Sequence, residues 1–87
     1  MAKRNQTWTL KEIDQSRDEP KGTAFRAFKE LKEGMDEGSD FFYLSATEDA
    51  AEIETLRAAG RIYQTTINAL LFTEAGMRML QDFLDDN

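Results

Sequence analysis

The single proline of the chain, Pro20, stands two residues ahead of Gly22, and no other feature limits the fold as tightly. Proline resists helix continuation and glycine tolerates backbone angles denied to other residues, so Asp18-Glu19-Pro20-Lys21-Gly22 reads as a turn. On both sides of it the apolar residues keep helical spacing. Thr9 can cap a helix over residues 10–17, in which Leu10 and Ile13 share a face. Over residues 23–33, Ala24, Phe25, Ala27, Phe28 and Leu31 fall within one arc of about 160°, opposite Arg26, Lys29, Glu30 and Glu33. Two short helices joined by a tight turn are therefore expected, braced through Leu10, Ile13, Phe25 and Phe28, with Trp8 as a core anchor.

Residues 34–40 contain two glycines and three acids with no period, which marks a loop, and Phe41-Phe42-Tyr43-Leu44 after it reads as a short strand. Ser45 followed three residues on by Glu48 fits a capping box, so a third helix is expected over 46–59, stopping at Gly60. Residues 61–65 and 69–72 are rich in β-formers and are expected to pair as a hairpin across Thr66-Ile67-Asn68. A last helix should run from Thr73-Glu74 to about residue 84, burying Leu80, Phe83 and Leu84. The expectation is one α+β domain over residues 7–84, with about four helices and a small antiparallel hairpin or sheet, a flexible arm at 1–6 and a frayed acidic tail at 85–87.

Chemistry is limited by what is missing. The 87 residues include no cysteine and no histidine, so there is no thiolate nucleophile or ligand and no side chain that is naturally a base near neutral pH. Ser16, Ser39 and Ser45 therefore have no imidazole to activate them. The Asp49 and Glu52 carboxylates stand at helical spacing, but acid–base work would also need a cleft with two contrasting environments. Asp36, Glu37 and Asp40 lack the spacing of a calcium loop and read as solvated loop acids. Neither enzyme activity nor a cofactor or metal is expected. No apolar run reaches the length of a signal-peptide core or a membrane span, which leads us to expect a cytoplasmic protein with no membrane partner.

A net charge of −6 would by itself disfavour a polyanion as partner, but the charge is unevenly placed. Residues 1–33 hold eight of the eleven basic groups against six acids, while residues 34–87 hold three against eleven acids. A mildly basic front and a strongly acidic rear suit a DNA-binding face backed by a solvating one.

The wording of the sequence adds to this pattern. Trp8-Thr9-Leu10-Lys11-Glu12-Ile13 followed by Lys21-Gly22-Thr23-Ala24-Phe25-Arg26 resembles the helix-turn-helix opening of small bacterial and phage regulators. Leu56-Arg57-Ala58-Ala59-Gly60-Arg61-Ile62-Tyr63 and then Ala69 to Met77, with its Phe-Thr-Glu-x-Gly step, resembles the hairpin-then-helix end of phage antirepressor-type amino-terminal modules. The resemblance implies a winged helix-turn-helix fold, a phage or mobile-element origin and double-stranded DNA as partner. Residues 23–33 would then read DNA, with Lys21, Thr23 and Arg26 near the amino end and Arg26 on a guanine. Lys29 and Lys32 would serve phosphates, Lys3 and Arg4 would reach an adjacent groove, and Arg61 completes the set.

Two features depart from that family: Glu30 and Glu33 share the outward face, and the expected wing over 65–68 is uncharged. The helix before it also carries Glu48, Asp49, Glu52 and Glu54, which repel phosphate. A homodimer is expected, since one such module buries little surface. The rival reading is an acidic adaptor or inhibitor of winged-helix shape that offers its second half to a basic protein.

Overall fold

Ala69–Phe72 is apolar at every position, as a strand covered on both faces should be. A computed structural model describes residues 6–86, and in it this strand is the centre of a three-stranded antiparallel sheet. The elements run β1 (Trp8–Thr9), α1 (Leu10–Ser16), α2 (Thr23–Leu31), one 3-10 turn (Lys32–Gly34), β2 (Phe41–Leu44), α3 (Ala50–Ala58), β3 (Ala69–Phe72) and α4 (Glu74–Asp85). The strand order is β1-β3-β2, with Trp8 opposite Phe72, Phe41 opposite Phe72 and Leu44 opposite Ala69. The fold is α+β.

Alternation along the strands splits the core in two. Phe72 and Leu70, with Phe41 and Trp8, pack against Ile13 of α1, Ala24, Ala27 and Phe28 of α2, and Leu80 of α4. The Phe28 ring meets Phe41 and Phe72 edge-on at centroid distances of 5.1 and 5.6 Å, the arrangement that aromatic quadrupoles favour. On the other face Leu71, Ala69, Leu44 and Phe42 pack against Ile53 and Leu56 of α3 and against Ile62. Among the described residues no helix is long and apolar enough to cross a membrane.

The caps follow local chemistry. Thr9 Oγ1 accepts from the Glu12 amide at 3.1 Å while Glu12 accepts from the Thr9 amide at 2.9 Å, a complete capping box. Thr73 Oγ1 accepts from the Gly76 amide at 3.2 Å at the start of α4.

Three expectations need correction. Residues 61–65 form no strand: β3 pairs with β2 and β1, and residues 61–68 are an irregular loop. Arg57 takes part in this: its Nη1 donates to the carbonyls of Gln64 at 2.8 Å and Thr66 at 2.9 Å, so those groups bond to a side chain instead of to a ladder. The third helix starts at Ala50, not 46, because Ser45 Oγ accepts from the Thr47 and Glu48 amides and Asn68 Oδ1 takes the Ala46 amide, closing a turn. Finally, Phe25 lies outside the α1–α2 seam and is 45% exposed, since Ala24, Ala27 and Phe28 already fill the space beneath the helix.

Candidate nucleic-acid interface

Gly22 begins α2 with a φ of +97° and has no side chain with which to cap it. The cap comes from α1. Asp14 is 1% exposed, and its carboxylate accepts from the Ala24 amide at 2.7 Å and the Gly22 amide at 3.1 Å, fixing the angle between the two helices. The same carboxylate accepts from the Tyr63 hydroxyl at 2.7 Å, so one buried group joins α1, the amino end of α2 and the 61–68 loop. Burial, then the bond to Asp14, pushes the Tyr63 hydroxyl up to about 12.

Two lysines close around this joint. Lys21 Nζ donates to Thr65 Oγ1 at 2.8 Å and stands 5.1 Å from the Tyr63 ring centre. Lys11 Nζ donates to the Gly60 carbonyl at 2.9 Å and stands 5.8 Å from the same ring. The loop therefore lies beside the start of α2.

Charge pairing separates the remaining bases. Arg17, Arg57, Arg61 and Arg78 each bind a carboxylate, at 2.8, 3.3, 2.8 and 2.6 Å from Asp85, Glu54, Glu12 and Glu74. Among the described residues Arg26, Lys29 and Lys32 meet no carboxylate, and Lys11 and Lys21 bond only to neutral oxygens. Lys29 Nζ instead lies 5.5 Å from the exposed Phe25 ring. Among the described residues, the basic groups without an acidic partner thus lie on α1, the turn, α2 and the 3-10 turn after it.

Of the residues expected to touch DNA, Lys21, Arg26, Lys29 and Lys32 follow one another along the exposed side of the turn, α2 and the 3-10 turn after it. Thr23 is close by, but its hydroxyl donates to the Pro20 carbonyl at 2.9 Å. Arg61 has another role: its guanidinium grips both Glu12 oxygens, at 2.8 and 3.1 Å, and the Thr7 carbonyl at 2.9 Å, tying the loop to α1. Lys3 and Arg4 lie outside the described residues. Lys11, Asp14 and Tyr63 belong to the site without having been singled out from sequence. Asp14 had a legible signal, since it stands four residues after Leu10 and so shares the buried side of α1.

The Arg61 pair carries a pH dependence. Burial pushes the Glu12 carboxyl up, but hydrogen bonds from Arg61 and from the Thr9 amide outweigh it, and the group ends below its ordinary value. A carboxyl lowered by folding adds stability above its unfolded pKa, and that stability is lost as pH falls through the folded one. Glu12→Gln should therefore cost about 1 kcal/mol at neutral pH. In urea denaturation the difference should shrink as pH falls below the ordinary carboxylate range; an undiminished difference in acid would assign the loss to packing.

The acids of the 34–40 loop serve their own backbone. Asp40 accepts from the Asp36 amide at 2.9 Å and Glu37 from the Tyr43 amide at 3.4 Å, and no group of three or more metal-donor side chains converges among the described residues. The chain matches no protein-family model, and no curated protein or solved structure is significantly similar to it.

Proposed function

We propose that this chain is a small DNA-binding regulator, of the phage or mobile-element kind and cytoplasmic, that reads duplex DNA with α2. The observation that carries the reading is the pairing pattern: four arginines are ion-paired, while among the described residues Lys11, Lys21, Arg26, Lys29 and Lys32, all between residues 11 and 32, form no ion pair, although Glu30 and Glu33 share the outward face. The nine residues of α2 span about 14 Å, enough to enter a major groove, and α1 and α4 brace it from behind. Near its amino end Arg26 is exposed and supplies the forked donor suited to guanine. Lys11, Lys21, Lys29 and Lys32 supply phosphate contacts, and the loop at 61–68 takes the place of a wing. A second copy would double the contact surface.

Four phosphate contacts predict a shallow salt dependence, with log K falling by about 3 to 4 per decade of salt. Arg26→Ala should weaken binding to a selected site by about 1–3 kcal/mol and relax preference at one base pair, whereas Lys29→Ala should weaken all sequences alike. Gel shifts of duplexes selected from a random pool test both. Unchanged affinity and preference in Arg26→Ala would remove that residue from the reading set.

A further inference from the structure

A cavity of about 220 Å³ opens between α1, the turn before α2 and the segment 62–70. Its walls are mainly the side chains of Leu10, Phe25, Ile62, Ala69 and Leu70. Two of the exposed large hydrophobic residues belong to this area. Phe25, 45% exposed, forms part of the wall, and Tyr43, 47% exposed, is the strand partner of Leu70 and lies on the same sheet face. Lys11 and Lys21 also line the cavity, and their ammonium groups bond only to a backbone carbonyl and a threonine hydroxyl. Each retains donor capacity for an incoming anion.

We propose that this cavity binds a small organic acid: an aromatic or branched apolar body with one carboxylate, which is held by Lys11 and Lys21. The volume is below the ~300–1,000 Å³ of pockets for drug-sized ligands, so the body is no larger than about one ring and a short chain. The cation positions place the acid group by the Tyr63 ring, because both lysines flank that ring. The inference rests on the cavity and its two lysines, which the DNA-binding reading also uses, and its test needs no DNA.

The test is a titration of the ¹⁵N-labelled full chain with 3-phenylpropionate and, separately, with its neutral amide. Saturable shifts at Leu10, Ile62, Tyr63 and Leu70 are expected with the acid at millimolar concentration, about tenfold weaker affinity with the amide, and a similar loss for the acid in the Lys11→Ala/Lys21→Ala double variant. Both lysine side chains bond at the surface, so the variant should keep the wild-type spectrum. Equal affinity for acid and amide would overturn recognition of an anion. Absence of saturable shifts at those four residues would overturn the site itself.

Discussion

Asp14→Ala is expected to destabilise the protein by about 3–5 kcal/mol, more than any other single change to a polar side chain considered for this fold. The substitution removes the acceptor for the Ala24 and Gly22 amides and for the Tyr63 hydroxyl, at a position that is 1% exposed. Water does not readily replace it, so the donors left in the interior bear their desolvation cost. Two joints fail together, the angle between α1 and α2 and the seat of the 61–68 loop. Asp14→Asn keeps one carbonyl oxygen and should cost less than the alanine, since an amide can accept from one or two of the three donors. Urea denaturation of both variants reads the result. A loss below about 1 kcal/mol for Asp14→Ala would show that the carboxylate does not hold these segments together.

The second large effect is expected at Gly76. It lies in the first turn of α4, where alanine should normally gain about 1 kcal/mol over glycine. A methyl group here would instead collide with the backbone carbonyl of Asp40. That carbonyl has no room to retreat, because it accepts from the Thr73 amide at 3.0 Å and the Thr73 hydroxyl at 3.1 Å. Gly76→Ala should therefore cost about 2–4 kcal/mol by prising α4 from the loop before β2. Gly34→Ala is the matched control: its added methyl meets nothing within 4 Å, and stability should be unchanged or slightly raised. Thermal melts of the pair separate steric contact from glycine entropy; equal effects would refute the close approach.

Gly76 also shows what kind of information the sequence carries. The Phe-Thr-Glu-x-Gly step has a local part, the Thr73 cap, and a distant part, the approach of Asp40 to Gly76. Several local parts were legible: the Pro20–Gly22 turn, the Thr9 cap, and both amphipathic helices beside the turn. Distant parts were not. Residues 61–65 have the composition of a strand, but a guanidinium from α3 claims their carbonyls, and β3 finds its partners at 41–44 and 8–9 instead. Tertiary contacts of this sort override β-propensity. Phe25 likewise fits the apolar arc of α2, yet two alanines and Phe28 saturate the seam and leave it outside.

For the site, counting charges located the basic third of the chain, and the fold then sorted it. Arg61 stood with Arg26 among the expected DNA contacts, but a bidentate bond to Glu12, across 49 residues, makes it a brace, while Arg26 forms no ion pair among the described residues. Lys11 joined the site because the 61–68 loop curls back over α1, which no local pattern encodes.

The central claim, that α2 meets DNA, is tested most directly by titrating the ¹⁵N-labelled protein with a mixed pool of short duplexes at low salt, where contacts to phosphate are strongest. Amide shifts concentrated at residues 21–32, with Lys11 among them, and fading as salt rises are the predicted result. Unmoved amides over 21–32 under those conditions would contradict it and leave the acidic second half, offered to a basic protein, as the working face.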